Sequence, residues 1–346
     1  LYKHLMNGVS HMLPFVIGGG ILIAIAFLLD DYSINPANFG MNTPLAAFFK
    51  TVGGVAFDFM LPILAGYIAY SIADRPGLAV GIVGGYIAKV GNSFANISGE
   101  NAVSGGFLAA LLAGFVAGYL VLGIKKLADK LPESMEGIKP VLIYPLFGVL
   151  LIGVFMFAVN PTMAAINTGI TSFLNSMGGS SKILLGCIVA GMMSIDMGGP
   201  FNKAAYVFGT ASIASGNYDV MAAVMIGGMI PPLAVALATT FFKKKFTSEE
   251  RKSGVVNYIM GLCFITEGVI PFAAADPLRV IPSCVAGSAV AGGLSMLFGC
   301  TLRAPHGGIF VFPVVGNVVG YLIALAAGSL VGMLLLGVLK KDKVAE

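Results

Sequence analysis

Long apolar stretches recur along the whole chain, and they constrain its fold more than any other feature. Residues 12–29 and 107–124, for example, are almost uninterrupted apolar runs. A helix needs about 20 apolar residues to cross the hydrocarbon core of a bilayer. Only 10% of the 346 residues are charged and the mean hydropathy is +0.92, whereas soluble domains contain about 25% charged residues. We therefore predict an all-α polytopic membrane protein with about ten transmembrane helices plus re-entrant hairpins.

Lysine and arginine are concentrated in alternate loops, and this pattern indicates the orientation of the spans. Segments 125–139, 243–252 and 340–346 are rich in lysine, whereas 30–44 and 92–106 contain neither lysine nor arginine. Loops on the cytoplasmic side of a membrane collect Lys and Arg. Both termini are therefore predicted to lie in the cytoplasm.

Several other features narrow the class of protein. The sequence begins at Leu1 rather than at Met, so we expect it to be part of a longer chain. Its start lacks a basic region followed by a cleavable apolar core, so we expect no signal peptide. Its four cysteines lie in apolar runs without metal-ligand or CxxC spacing, which favours a packing role. We predict no metal site, no cofactor and no nucleic-acid surface.

The two halves of the chain differ in where their polar residues lie. In 1–160 most polar groups are confined to loops, whereas in 161–346 three apolar segments combine Gly or Pro with ionisable groups: 194–209, 261–282 and 301–313. A charge at the centre of a spanning helix costs about 2.5–3.5 kcal/mol. Non-helical backbone at that depth must be surrounded by protein or line a cavity. The three segments are therefore predicted to form hairpins that converge on a hydrophilic site, as interrupted helices do in transporters.

A structural explanation for these charges competes with the functional one. Asp196 and Lys203, or Asp276 and Arg279, can pair with each other and simply close a turn. Glu267 has no cation close to it in sequence, which favours a role in binding or catalysis.

Three motifs together resemble the fructose-type membrane component, enzyme IIC, of the bacterial phosphoenolpyruvate-dependent sugar phosphotransferase system. They are "MGGPFNKAAYVFG" (197–209), "ITEGVIPFAAADP" (265–277) and "APHGGIFV" (304–311). The opening segment, 2–27, resembles the start of the same domain, so the likeness runs essentially end to end.

The resemblance implies a fold like that of the glucose-superfamily enzyme IIC proteins and a homodimer in the bacterial inner membrane. Residues 1–160 would form the subunit contact. Residues 161–346 would carry the sugar site and move across the bilayer in an elevator-type motion.

The same resemblance implies an activity. Fructose would be phosphorylated to fructose 1-phosphate as it crosses the membrane, with a phosphocysteine of enzyme IIB as donor and enzyme IIA and HPr as its suppliers. Enzymes IIA and IIB are expected upstream in the full-length chain. This chain would then be the membrane subunit of a protein-phosphohistidine–sugar phosphotransferase.

Glu267 and His306 are the predicted catalytic residues. A carboxylate accepts strong hydrogen bonds from hydroxyl groups, and it can take the proton of the hydroxyl that is phosphorylated. His306, between Pro305 and a Gly-Gly pair, is displayed on a turn where it can donate to a hydroxyl or a phosphoryl oxygen. The predicted sugar-binding residues are Asp196, Asn202, Lys203, Glu267, His306 and Gly307, with Asp58 and Asn92 from the first half. Phe201 and Tyr206 are expected to pack rather than to stack on sugar.

Three alternatives remain open at this point. In the first alternative, the chain is a proton-coupled secondary sugar transporter with Asp196, Glu267 or Asp276 as proton carrier. It can also be a sugar-sensing or structural membrane protein that moves no substrate. Within the enzyme IIC family, mannitol or a mannosyl derivative is the nearest competing substrate, because pocket shape decides between sugars.

Overall fold

The computed structural model describes residues 1–31, 33–35, 38, 40–177 and 179–343. These residues are mostly helical, and they form no β-strand beyond isolated bridges between Ser93 and Asn96 and between Thr301 and Gly316. The prediction of an all-α fold is confirmed. The last three residues of the tail predicted to be cytoplasmic, 344–346, lie outside the described part.

The described residues form thirteen α-helices. They are Tyr2–Leu29 (α1), Pro44–Asp58 (α2), Met60–Ala73 (α3), Arg75–Val90 (α4), Gly106–Ala128 (α5), Tyr144–Ser176 (α6), Gly179–Met192 (α7), Pro200–Ala214 (α8), Asp219–Phe241 (α9), Ser248–Leu262 (α10), Ile270–Ala275 (α11), Pro277–Leu297 (α12) and Val318–Leu339 (α13). A five-residue π-helical segment, Lys139–Ile143, leads directly into α6.

Seven segments of the described chain are long and apolar enough to cross a membrane. They are Lys3–Leu29, Pro44–Ala73, Gly106–Ala128, Lys139–Gly169, Asp219–Phe241, Pro277–Leu297 and Val318–Leu339. The membrane character of the chain is thereby confirmed, and the expected number of about ten spans was approximate. The difference arises because several helices, such as the apolar α7 of 14 residues, are too short to cross alone.

The chain forms two compact units. The first comprises residues 1–19 and 54–175, and the second comprises 20–53 and 176–346. The sequence predicted a boundary after residue 160, but α6 continues through Pro161 to Ser176. The expected roles of the two parts, in subunit contact and in transport, stay predictions.

Glycines allow the helices of the first unit to approach closely. A Cβ atom on Gly81 of α4 would lie 2.6 Å from the carbonyl oxygen of Ala65 in α3. One on Gly85 would lie 2.8 Å from the carbonyl oxygen of Leu61. Small residues at such contacts are typical of helix packing in lipid, where dispersion and close backbone approach replace the hydrophobic effect.

Helix α9 lies at the centre of the second unit. Within an apolar 18-residue window of this helix, 94% is buried inside the protein. The helices that pack on it are α7, α8, α10, α12 and α13. Three of the interruptions between helices around α9 matter for the site, and they are called the three breaks: between α7 and α8, between α10 and α11, and between α12 and α13. The breaks coincide with the three segments in which the sequence places polar residues among apolar ones.

Candidate functional site

Asp196 organises the first break, between α7 and α8. The backbone of Met197 (φ 46°) and Gly198 (φ 111°) turns through the left-handed region. Oδ2 of Asp196 then accepts a hydrogen bond of 2.6 Å from the backbone N–H of Phe201, and Oδ1 accepts one of 2.9 Å from that of Asn202. The carboxylate therefore caps the N-terminus of α8, where free N–H groups and the helix dipole favour a negative charge.

Asn202 connects the first break with the second. Its side chain is buried, and Nδ2 donates a hydrogen bond of 2.8 Å to the carbonyl oxygen of Met193. The same nitrogen lies 3.5 Å from Oγ1 of Thr266. Asn202 thus joins the chain before α8 to the residue that precedes Glu267.

Lys203 does not pair with Asp196. None of the ion pairs between described residues includes Lys203, and Asp196 binds backbone amides instead. The alternative in which these two charges merely close a turn against each other is therefore wrong. Lys203 is half-buried and follows the cap of α8 by one turn, so its ammonium group remains available to a ligand.

Glu267 lies in the second break, at the start of the short 3₁₀ turn Glu267–Val269. Its side chain is exposed, and within the described part of the chain its carboxylate makes no hydrogen bond or ion pair. A Cβ atom on Gly198 would lie 3.2 Å from Oε1 of Glu267. The glycine of the first break therefore leaves room for the carboxylate of the second.

Asn257 of α10 fixes the turn that carries Glu267. It is 1% exposed, and its Nδ2 donates a hydrogen bond of 3.2 Å to the carbonyl oxygen of Gly268. A Cβ atom on Gly268 would overlap the side chains of Asn257 and Met260. Neither Asn257 nor Thr266 was among the residues predicted from the sequence. The only signal for them there is that both are polar residues beside an apolar run.

His306, in the third break, packs against one aromatic ring of the second break and one of α8. Its ring centroid lies 4.9 Å from that of Phe264 and 6.3 Å from that of Tyr206. Tyr206 is buried, as expected for a packing residue, but its hydroxyl group has no partner among the described residues. Burial lowers the pKa of His306 to about 4, so its imidazole is neutral near pH 7.

Two glycines bring the third break against the second. Gly307 and Gly308 both have positive φ angles, of 130° and 57°. A Cβ atom on Gly308 would overlap the carbonyl oxygen of Leu262 at the end of α10. The backbone at Phe264 is also left-handed, with φ at 62°. Such conformations are unfavourable for residues other than glycine and occur often at functional sites.

The three breaks therefore meet within the second unit, through Gly198 and Glu267, Asn202 and Thr266, and His306 and Phe264. Among them, the breaks carry a free carboxylate, that of Glu267, and a neutral imidazole, that of His306. Groups of this kind bind polyols, because each hydroxyl both donates and accepts a hydrogen bond. The expected catalytic and sugar-binding roles of these residues stay predictions.

Asp276 and Arg279 pair with each other. Nη1 of Arg279 lies 3.1 Å from Oδ1 of Asp276, and Nζ of Lys340 lies 3.4 Å from Oδ2. Lys340 is 2% exposed, and its ammonium group also lies 5.0 Å from the centre of the Phe246 ring. The structural explanation is therefore correct for Asp276 and Arg279, and a buried lysine from the end of the chain completes the cluster.

The two candidates from the first half are held by local contacts in the first unit. Oδ1 of Asp58 lies 3.0 Å from Nζ of Lys89. Nδ2 of Asn92 donates to the carbonyl oxygen of Ile97 at 2.9 Å, and the Asn92 carbonyl oxygen accepts from Asn160 at 2.7 Å. Asn92 therefore organises a loop, and a part for either residue in sugar binding stays a prediction.

Apolar helices that break around converging polar groups define a membrane transport protein of the interrupted-helix class. Comparison with known proteins identifies the family. Residues 6–287 match the model of the family described as phosphotransferase system, EIIC, and the chain belongs to that family.

Individual relatives give the same result. The chain is 51% identical over 341 residues to the PTS system fructose-specific EIIABC component of Bacillus subtilis (strain 168), covering 98% of this chain and 52% of that protein. It is 49% identical over 311 residues to the fructose permease IIC component of Bacillus amyloliquefaciens, covering 90% and 98%. The chain thus spans about half the length of the first relative and nearly all of the second.

A solved structure shares the fold. It is the crystal structure of the transporter ChbC, the IIC component from the N,N'-diacetylchitobiose-specific phosphotransferase system. The TM-score is 0.61 at 13% sequence identity, over 97% of this chain and 92% of that one. At this level of identity the likeness concerns the fold alone.

Proposed function

We propose that this chain is the membrane permease of a fructose-specific phosphotransferase system. It translocates fructose and holds it while a phosphocysteine of enzyme IIB converts it to fructose 1-phosphate. The observation that carries the proposal is the position of Glu267, whose exposed carboxylate lies unpaired where the three breaks meet. Membership of the EIIC family and the names of the two Bacillus relatives support fructose as substrate.

In this proposal Glu267 acts on the sugar hydroxyl that is phosphorylated. The hydroxyl oxygen attacks phosphorus, the P–S bond to the enzyme IIB cysteine breaks, and a P–O bond to the sugar forms. Glu267 takes the hydroxyl proton as a general base. The neutral imidazole of His306 and the ammonium of Lys203 donate to sugar hydroxyls or to the equatorial phosphoryl oxygens, where negative charge is spread.

The second unit is proposed to carry the sugar across the membrane in an elevator-type movement. All three breaks belong to that unit, so its motion as one body moves the site without taking it apart. The first unit then supplies the contact of a homodimer. The lysine-rich segments favour a cytoplasmic side for the termini, and enzyme IIB, supplied by IIA and HPr, is proposed to approach from that side.

The test uses inside-out vesicles that contain this chain, with labelled fructose and with or without phosphorylated enzyme IIB. Sugar phosphate that forms only with phosphorylated enzyme IIB is the expected result. Fructose binding or flux without any phosphorylated product would contradict the proposal and favour a secondary transporter. A parallel sample with labelled mannitol decides between the two substrates.

Two variants connect the activity to the site. Glu267→Gln keeps the shape of the side chain but removes the base, and we expect phosphorylation to fall by about 10²–10⁴-fold. Glu249→Gln, at an exposed position in the first turn of α10, is the matched control and should be active. Near-normal phosphorylation by Glu267→Gln would remove the carboxylate from the mechanism.

A further inference from the structure

A cavity of about 410 Å³ opens in the first unit, where α3 ends and α4 begins. Its polar lining comes from Asn7 of α1, Tyr70 and Ser71 of α3, Asp74, and Lys125 of α5. None of these residues belongs to the candidate sugar site. The volume is in the range of small-molecule binding sites.

Two opposite charges line this cavity without pairing. Nζ of Lys125 donates a hydrogen bond of 2.8 Å to the carbonyl oxygen of Ala73. No ion pair within the described part of the chain includes either Lys125 or Asp74, and the Asp74 carboxylate accepts no hydrogen bond there. The cavity therefore offers a fixed cation and a separate anion to a ligand.

The backbone at Asp74 favours the same conclusion. Asp74 is the single residue between α3 and α4, with φ at 61° and ψ at −156°. This conformation is unfavourable for a residue with a side chain and is usually occupied by glycine. Asp74 therefore contributes its carboxylate to the cavity from a strained backbone position.

The cavity lies at the ends of two candidate membrane spans, where lipid headgroups are expected. Ala73 ends one candidate span, and Lys125 lies in the last turn of another, Gly106–Ala128. Tyr70 is 36% exposed, and tyrosine is enriched where a membrane meets water. Leu122 adds an apolar wall on the membrane side of Lys125.

We propose that this cavity binds a phospholipid whose headgroup carries both a phosphate and a primary amine, such as phosphatidylethanolamine. Lys125 binds the phosphate, and Asp74 accepts hydrogen bonds from the ammonium group. Asn7 gives one N–H to the carbonyl oxygen of Tyr67 at 2.8 Å and has a second for the phosphate. The acyl chains lie along Tyr70 and Leu122.

This chemistry discriminates between common headgroups. A phosphatidylcholine headgroup has no N–H to donate to Asp74, and a phosphatidylglycerol headgroup brings no cation to it. Phosphatidylethanolamine therefore binds more tightly than phosphatidylcholine, through the N–H groups that it donates to Asp74. It also binds more tightly than phosphatidylglycerol, by roughly fivefold if the ammonium–carboxylate contact has the strength of one charge contact at the membrane surface.

The experiment measures lipid binding to the purified, delipidated chain by native mass spectrometry. Phosphatidylethanolamine, phosphatidylcholine and phosphatidylglycerol with identical acyl chains are titrated separately. Soluble phosphoethanolamine is then added as a competitor, because it has the same charged groups without acyl chains. Displacement only by large excesses of the soluble compound supports a lipid site.

Variants locate the binding. Asp74→Asn removes the negative charge and should reduce the preference for phosphatidylethanolamine over the other two lipids, and Lys125→Gln should weaken all three lipids by roughly fivefold. Lys126→Gln changes the next residue of α5, which does not line the cavity, and should bind like the unmodified chain. Asp74→Gly also removes the carboxylate but relieves the backbone strain, so it separates lost binding from lost folding.

Several results would overturn the proposal. Equal binding of the three lipids by the unmodified chain would exclude recognition of the amine. An unchanged preference in both Asp74→Asn and Asp74→Gly would exclude this cavity as the site. Displacement by soluble phosphoethanolamine at concentrations equal to those of the lipid would assign the cavity to a free phosphorylated amine instead.

Discussion

Gly198 lies directly against the side chain of Glu267: a Cβ atom on the glycine would come within 3.2 Å of Oε1 and 3.4 Å of Cγ. The first break therefore forms one wall of the space that the carboxylate occupies. Gly198 also has φ at 111°. A side chain at this position is therefore disfavoured for two independent reasons, the contact with Glu267 and the backbone conformation.

Gly198→Ala should lower the free energy of unfolding by about 1–3 kcal/mol, because alanine is strained at this φ angle. It should also reduce sugar phosphorylation, since the methyl group displaces Glu267. Gly216→Ala is the matched control: φ is 81° there, and a Cβ atom would meet nothing within 4 Å. Thermal melting and phosphorylation assays of both variants test the argument, and equal activities would contradict it.

Asp196→Ala should cost about 0.5–2 kcal/mol of stability, because α8 loses its N-terminal cap. Asp196→Asn keeps one acceptor oxygen, so it should retain most of the stability and phosphorylation activity. Thr247→Ala is the comparison for Asp196→Ala, because it removes the cap of another helix, α10: Oγ1 of Thr247 accepts a hydrogen bond from the N–H of Glu250. Loss of transport in a stable Asp196→Asn variant would instead point to a direct role of the carboxylate, in sugar binding or as a proton carrier.

The stability of the protein should fall in mild acid, partly through His306. Burial lowers the pKa of this residue from 6.5 to about 4. Below pH 6.5 the unfolded chain therefore binds a proton that the folded chain excludes, so the contribution to stability is complete above pH 6.5 and decreases as the pH falls toward 4. At pH 5 the loss is about 2 kcal/mol.

His306→Gln should remove this part of the pH dependence. The melting temperature of the variant should then decrease less between pH 7.5 and pH 5 than that of the unmodified chain. Identical decreases in the two proteins would show that His306 is protonated in the folded state or that other groups account for the effect.

Asp276→Asn should destabilise the protein by about 3–5 kcal/mol, because it leaves the buried ammonium of Lys340 without a carboxylate. Arg279→Gln should cost only about 1 kcal/mol or less, since the Arg279 side chain is 37% exposed. Chemical denaturation measures both. If the explanation is right, adding Lys340→Met to Asp276→Asn restores stability, and a double variant as unstable as Asp276→Asn would disprove it.

The sequence contained enough information for the membrane class and for the three breaks. The length and apolarity of the spans predict a membrane protein, and the polar residues beside Gly and Pro within apolar stretches indicate the three breaks. Neither pattern depends on contacts between distant residues, so both could be predicted without the structure.

The individual partners were not predictable in the same way. A pair between Asp196 and Lys203 was one possibility in the sequence, but the left-handed turn at Met197 and Gly198 directs the Asp196 carboxylate to the amides of α8. Lys340 meets Asp276 across 64 residues of sequence. The division of the chain depends likewise on tertiary contacts: a Cβ atom on Gly20 would overlap Pro305, which ties the second part of α1 to the second unit.

The position of α9 has a consequence for biosynthesis. This helix is surrounded by protein, yet its mean hydropathy of 2.1 is close to the 2.3 and 2.5 of the spans in α5 and α13, which are only 44% buried. During synthesis α9 leaves the ribosome before α10, α12 and α13 exist, and the translocon admits it to lipid according to its own apolarity. Its sequence therefore satisfies two environments in succession, first the bilayer and then the interior of its unit. A polar substitution in α9 that the folded protein would tolerate can therefore still prevent this helix from inserting into the membrane.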